Sequence, residues 1–187
     1  GIVVGAGNIW RGRQGGTMEH TRADHMGMLA TVINSLAIQD AFERADIDAR
    51  VMTAVPIEAF AEFYSRNKAV SHLNRGKVTI FGCGMGNPFF STDTAAVLRG
   101  AEIGADVVLM AKNIDAIYTD DPRKNPDAKK LSEVDYDYIL KNHLSAIDTC
   151  AASFAMDNHM KLHIFGLDDS ENIYRVIMGE KIGTIVD

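Results

Sequence analysis

Apolar residues fall along this chain in two alternating rhythms. Short β-branched or apolar runs at 2–4, 50–55, 77–81, 106–110, 162–165 and 183–186 read as strands, several of them closed by glycine or proline. Between them apolar positions recur at helical spacing. The longest such segment, 22–45, carries the stripe Met26, Leu29, Ala30, Ile33, Leu36, Ala37 and Ala41. Met28, Val32 and Ile38 extend its apolar surface to other faces, so the core or a second subunit must bury it. Shorter helices are predicted at 57–64, 69–74, 94–104, 136–142, 149–158 and 170–178, with Ser91, Thr92 and Asp93 as N-cap candidates for the third. The segments 5–21 and 112–130 read as loops, the first with five glycines, the second with nine charged residues and two prolines.

Strands alternating with helices predict an α/β fold: a three-layer αβα sandwich around a mainly parallel sheet, with residues 1–187 as a single domain. Ligands of such sheets bind beyond the carboxyl ends of the strands. Three unusual segments, 5–12, 82–93 and 111–121, each follow a strand, so they are expected to gather on one edge as a composite site.

Composition narrows the function. Apolar residues are 47% and charged residues 24%, which excludes disordered and fibrous classes. A net charge of −6 disfavours a nucleic-acid binder, which must neutralise many phosphates. It leaves small phosphorylated ligands open. No apolar run approaches the ~20 residues of a membrane span. Cys83 and Cys150 show no zinc or disulfide spacing, which points to a reducing cytoplasm. His159 and His163 are four apart, but a helix end and a strand start lie between them, so no metal site is expected there.

The loops carry the candidate chemistry. Gly5-Ala6-Gly7-Asn8-Ile9-Trp10-Arg11-Gly12 allows close approach of backbone N–H groups to a ligand, or is simply a tight turn. Trp10 stands where a dinucleotide fingerprint needs glycine, and no Walker A pattern is present. Arg11, between glycines beside a strand end, is shaped to fork a phosphate, unless it is a solvated surface arginine. In Gly86-Asn87-Pro88-Phe89-Phe90-Ser91-Thr92-Asp93, the capping residues put a helix N-terminus, a natural anion site, next to two adjacent phenylalanines. Those rings read either as walls for a flat group or as core plugs. Asp24 opens the long helix and suits either its dipole or paired ribose hydroxyls. Lys112, Tyr118 and Asp121 lie in the polar loop, where solvation and an Asp-Pro turn explain them as readily as a nucleotide does.

Four blocks together carry a resemblance. They are Gly-x-Gly-Asn-Ile-Trp-Arg-Gly at 5–12, Arg-Ala-Asp-His-Met-Gly-Met-Leu-Ala-Thr at 22–31, Gly-Asn-Pro-Phe-Phe-Ser-Thr-Asp-Thr-Ala-Ala at 86–96, and Ile-Asp-Ala-Ile-Tyr-Thr-Asp-Asp-Pro at 114–122. In this order they closely resemble the bacterial UMP kinase family of the amino-acid kinase superfamily, and the likeness runs to Gly-Glu-Lys-Ile-Gly-Thr at 179–184. The resemblance implies transfer of the γ-phosphoryl of ATP, with Mg²⁺, to UMP in pyrimidine nucleotide biosynthesis. It implies that Ala6, Asp24 and Met85, Gly86, Asn87, Pro88, Phe89, Phe90, Ser91 and Thr92 surround UMP, with Asp24 on the ribose and Thr92 on the phosphate. Gly7, Arg11, Lys112, Asn113, Tyr118 and Asp121 would meet ATP. Arg11 and Asp93 would be the catalytic pair, Arg11 neutralising charge and Asp93 organising lysines. A homohexamer with GTP and UTP as effectors is the family's usual form.

The chain also departs from the pattern. Ala6 and Ala116 stand where the family usually has glycine, and Met85 where some members have threonine. The family's first strand and Lys-x-Ser-Gly loop have no counterpart in these residues, so low turnover is expected. Rival readings are another amino-acid kinase acting on a small carboxylate, which Asp24 disfavours, and a non-catalytic nucleotide-binding module. A nicotinamide oxidoreductase is the weakest, because the glycine pattern fails.

Overall fold

The structure is a computed structural model that describes residues 1–12 and 15–187. Positions 13 and 14, within the predicted loop 5–21, lie outside the described residues. The chain forms two compact units, Gly1–Ile103 and Gly104–Asp187.

The first unit runs β1 (Ile2–Val3), α1 (His20–Arg44), β2 (Ala49–Thr53), β3 (Glu62–Phe63), α2 (Arg66–Asn74), β4 (Val78–Gly82) and α3 (Thr92–Ile103). Its strands are all parallel, in the order β1-β4-β2-β3. Side-chain alternation sorts the core onto two faces. Ala49, Val51 and Ile80 pack with Leu36, Ile38 and Phe42 of α1. Met52 and Phe81, one residue along each strand, pack instead with Ala69 of α2 and Ile103 of α3. Helices therefore cover both faces of a parallel sheet, which is the αβα layering expected.

Two expectations change here. The segment 57–64 is not a helix. Ile57 O accepts from Phe60 N and Ala61 N in one turn, and Tyr64 N then donates to Thr53 O at 3.0 Å. The ladder to β2 captures the chain, and β3 forms the edge of the sheet. Helix α2 begins at Arg66 rather than 69, because Ser65 Oγ accepts from Lys68 N and caps it.

The second unit contains β5 (Val108–Lys112), β6 (Ile117–Tyr118), β7 (Lys130–Leu131), β8 (Glu133–Val134), α4 (Tyr136–Lys141), α5 (Thr149–Asp157), β9 (Leu162–Gly166), α6 (Glu171–Ile177) and β10 (Thr184–Val186). Its sheet has the order β5-β9-β10-β8, with β5 parallel to β9, β10 antiparallel to β9 and β10 parallel to β8. The polar segment 112–130 is not all loop. It holds β6, which pairs antiparallel with β7, Ile117 opposite Leu131. Ile117 is buried, and its N–H donates to Thr184 Oγ1 of β10, which donates in turn to Leu131 O. One buried apolar residue and one hydroxyl thus anchor a highly charged segment.

Candidate active site

The glycine-rich loop leaves β1 and folds on itself, with Ile9 N and Trp10 N both donating to Ala6 O. None of Gly5, Ala6 and Gly7 has a positive φ, so Ala6 fits where glycine is usual. Glycine serves space at position 7: a Cβ there would lie 2.8 Å from Arg11 Nε, because the guanidinium lies over it. Two ties hold the loop to α1. Trp10 Nε1 donates to Ala23 O at 2.8 Å, and Asn34 Nδ2 donates to Gly5 O at 2.7 Å.

The loop after β4 is built from backbone conformations that L-residues rarely adopt. Cys83 (φ 64°), Gly84 (55°), Gly86 (86°) and Phe89 (71°) are all left-handed. Cys83 is stabilised there by Thr31 of α1, whose Oγ1 accepts from Cys83 N at 2.8 Å. A Cβ on Gly86 would sit 3.0 Å from Ala54 O. Phe89 is held by Asp24, whose Oδ2 accepts from Phe89 N at 2.8 Å, and its ring centroid lies 4.7 Å from that of His20. Asp24 Oδ1 faces Gly12, where a Cβ would come within 2.5 Å of it. Phe89 and Phe90 are 69% and 49% exposed, so neither plugs the core. Ser91 Oγ accepts from Thr94 N and caps α3.

These parts enclose a cleft of about 440 Å³ within the first unit. Its wall brings together Gly5, Ala6, Gly7, Arg11 and Gly12 from one loop, Asp24 and Thr31 from α1, and Met85, Asn87, Pro88, Phe90, Ser91, Thr92 and Asp93 from the other. Gly86 and Phe89, expected at the same site, are not part of this wall. Two of the three segments expected to converge therefore do so. The third lies in the second unit.

Behind Gly84 stands a charge network that sequence reasoning missed. The Arg99 guanidinium, almost fully buried, pairs with Glu102, lies 3.9 Å from the Tyr64 ring centroid, and reaches Gly84 O at 3.5 Å. Tyr64 OH donates to Glu102 Oε2 at 2.5 Å. Burial first, and then the Glu102 carboxylate, push the Tyr64 phenol up to about 12.

In the second unit, Asn113, Tyr118 and Asp121 line a cleft of about 830 Å³ together with Asp115, Ala116, Lys124 and Asp168. Lys112 is not part of that wall, and its Nζ donates to Ala146 O at 2.7 Å. Tyr118 OH donates to Asp115, and Lys130 Nζ of β7 lies 2.9 Å from Asp115 Oδ2. Desolvation raises the Asp115 carboxyl, but Lys130 and Tyr118 outweigh it and hold it below its usual value. Asp121 accepts from Arg123 N and the Arg123 guanidinium, which lower it likewise. Among the described residues no group of three or more His, Cys, Asp or Glu is arranged to hold a metal ion.

Residues 1–166 match the Amino acid kinase family. The chain is similar to the UMP kinase from Bacillus anthracis, at 36% identity and a TM-score of 0.94, covering 100% of this chain and 78% of that one. It is similar to the UMP kinase from Ureaplasma parvum at 33% identity and a TM-score of 0.92, covering 98% and 79%. The uridylate kinase from Archaeoglobus fulgidus, at 24% identity, a TM-score of 0.72 and coverage of 99% and 83%, shares the fold. With its parallel sheet, its glycine-rich loop and its capped helix at one cleft, the chain belongs to the amino acid kinase family.

Proposed function

We propose that the protein phosphorylates UMP at the expense of MgATP. A phosphate oxygen of UMP attacks the γ-phosphorus of ATP, the bond to the β-phosphate oxygen breaks, and UDP and ADP result. The observation that carries this reading is the first cleft, which brings the glycine-rich loop, Arg11, Asp24 and the N-terminus of α3 to one cavity. Likeness to UMP kinases from two bacteria supports the choice of nucleotide.

In this reading each group does one thing. Asp24 offers carboxylate oxygens to the ribose hydroxyls while holding Phe89 N. Met85, Asn87 and Pro88 border the uracil, and Phe90 supplies an apolar wall. Thr92 and the positive end of the α3 dipole receive the UMP phosphate. Arg11 neutralises charge on the transferred phosphoryl, and Asp93 orients cationic groups beside it. Asn113, Tyr118 and Asp121 receive the ATP base and ribose in the second unit. Phosphoryl transfer asks little covalent work of a protein: alignment and charge neutralisation supply most of the catalysis.

Magnesium fits this donor set. It is held mainly by phosphates and water with one or two carboxylates, and the first cleft offers Asp93 rather than a closed cage. Bound with ATP, it would neutralise phosphate charge. Met26, Leu29 and Ile33 leave an exposed apolar stripe on α1, which suits a homo-oligomer. GTP and UTP are the effectors to try. No helix among the described residues is long and apolar enough to cross a membrane, and the cytoplasm is the proposed location.

Titration calorimetry with UMP, CMP and a small dicarboxylate tests the reading. Binding selective for UMP supports it. Preference for the dicarboxylate points to a different kinase of the family. Absence of any binding by folded protein overturns the assignment of the acceptor site.

A further inference from the structure

We propose that Asn34 is a positioning residue for the phosphate-binding loop, acting through a reciprocal amide clasp with Asn8. Asn34 lies on α1, two turns and more beyond Asp24, and is not part of the cleft wall. Its Nδ2 donates to Gly5 O at 2.7 Å and to Asn8 Oδ1 at 2.8 Å, while its Oδ1 accepts from Asn8 Nδ2 at 3.0 Å. The orientation of the amide is fixed by chemistry, because a backbone carbonyl can be met only by a donor. Asn34 thus spends both its N–H groups and one acceptor site on the segment from Gly5 to Asn8.

The consequence runs through the peptide plane. A trans peptide holds its C=O and N–H antiparallel, so turning Gly5 O toward Asn34 turns Ala6 N–H off α1. Ala6 O in turn accepts from Ile9 N and Trp10 N, which carries the setting on to Arg11. The loop is therefore clamped at two points of one rigid helix: at Asn34 near its start and, through the Trp10 indole, at Ala23 near its end. Those points stand eleven residues apart, about 16 Å along the helix axis. Glycine supplies the room at this loop, and Asn34 supplies the direction. Such preorganisation matters most where donors must meet a phosphate without rearranging.

The inference rests on reading the first cleft as a nucleotide-phosphate site, and the test separates the two. Asn34→Asp keeps shape and helix but removes both donors. Asn8→Ala removes the other half of the clasp from outside α1. Two quantities are measured: amide hydrogen exchange at residues 5–10 in ligand-free protein, and the ratio of UMP to uridine affinity by calorimetry. We expect N34D to speed exchange in the loop and to lower the UMP-over-uridine ratio about tenfold, the scale of one lost hydrogen bond to a charged ligand. Uridine affinity itself should stay unchanged. N8A should give the same split on a smaller scale, because the bond to Gly5 O remains, and the double variant should add little to N34D, since both act on one clasp. Unchanged exchange in the loop overturns the proposal. So does an equal loss of UMP and uridine, which would mark a merely structural role. A wild-type protein that does not prefer UMP to uridine overturns the phosphate-site reading itself, before any substitution is made, and the proposal falls with it.

Discussion

The two clefts are built from the same kinds of parts and secured by different forces. In the first unit the loops are tied to α1 by single side chains meeting backbone groups: Trp10 to Ala23 O, Asn34 to Gly5 O, Thr31 to Cys83 N and the Asp24 carboxylate to Phe89 N. In the second unit the charged segment is tied by exposed ion pairs, Lys130 with Asp115 and Arg123 with Asp121, around one buried isoleucine. Hydrogen bonds from neutral side chains to backbone are directional and barely respond to salt, whereas exposed ion pairs contribute little and are screened. The first cleft is therefore expected to be the stiffer of the two, and the second the one that responds to ionic conditions.

The strongest way to break this contrast is to disturb the first cleft by one methyl group. Gly12→Ala places a Cβ 2.5 Å from Asp24 Oδ1, so the carboxylate must shift and strain its bond from Phe89 N. UMP affinity should fall by roughly 10- to 100-fold, the worth of a charge-assisted hydrogen bond, and calorimetry would show it. A fall smaller than about threefold would mean that Asp24 can relax, contrary to a stiff site.

Next in size is Thr31→Val, which keeps volume but leaves the Cys83 N–H without its acceptor. The cost should be about 1–3 kcal/mol of stability, read from the shift of the urea midpoint. No shift would show that the left-handed turn at Cys83 needs no support from α1.

Lys130→Met probes the other cleft. Stability should change by less than about 1 kcal/mol, as for an exposed pair. ATP affinity should fall a few-fold at low salt and converge with wild type at high salt. A large loss independent of salt would make the two clefts alike.

The smallest effect concerns pH. The Asp115 carboxyl is held below its usual value in the folded protein, so its contribution is complete above the unfolded value near ~3.9 and is lost as pH falls through the folded one. Acid should loosen the β6–β7 ribbon only below about pH 4, and Asp115→Asn should remove that step from an exchange-monitored titration. Loosening already near neutral pH would reject Asp115 as the titrating group.

Long-range order was largely legible in the residues. Buried parallel strands announce themselves as short apolar runs, and α1, with 25 residues, dominates any helical reading. Of the two-residue strands, β3, β6, β7 and β8 left no such mark, because two residues have no periodicity. They exist through pairing partners distant in sequence. Much the same holds for the site. Gly5 to Gly12 and Met85 to Asp93 were visible as unusual loops after strands. Asn34 and Thr31 were hidden within an apolar helix, where nothing in their spacing says that they face those loops. Arg99 bears no mark of burial in the sequence, although Glu102 three residues on was a clue to its pairing. The aromatic pair was half legible: its place beside a cleft was suggested, while the left-handed backbone of Phe89 depends on a carboxylate 65 residues earlier.

Strand β10 is a matter of timing. Residues 184–186 sit inside the second sheet, between β9 and β8, and Thr184 also ties the β6–β7 ribbon. A ribosome releases every other strand of that sheet first, so β8 waits without its neighbour until the last of them is made. All elements of the first unit, by contrast, have left the exit tunnel long before. During synthesis the first unit can begin to fold early, while the second sheet carries an open edge until its final strand arrives. Chains stalled on the ribosome before Gly183 would carry a β8 open to proteolysis, and release of a chain that includes residues 184–186 would close it.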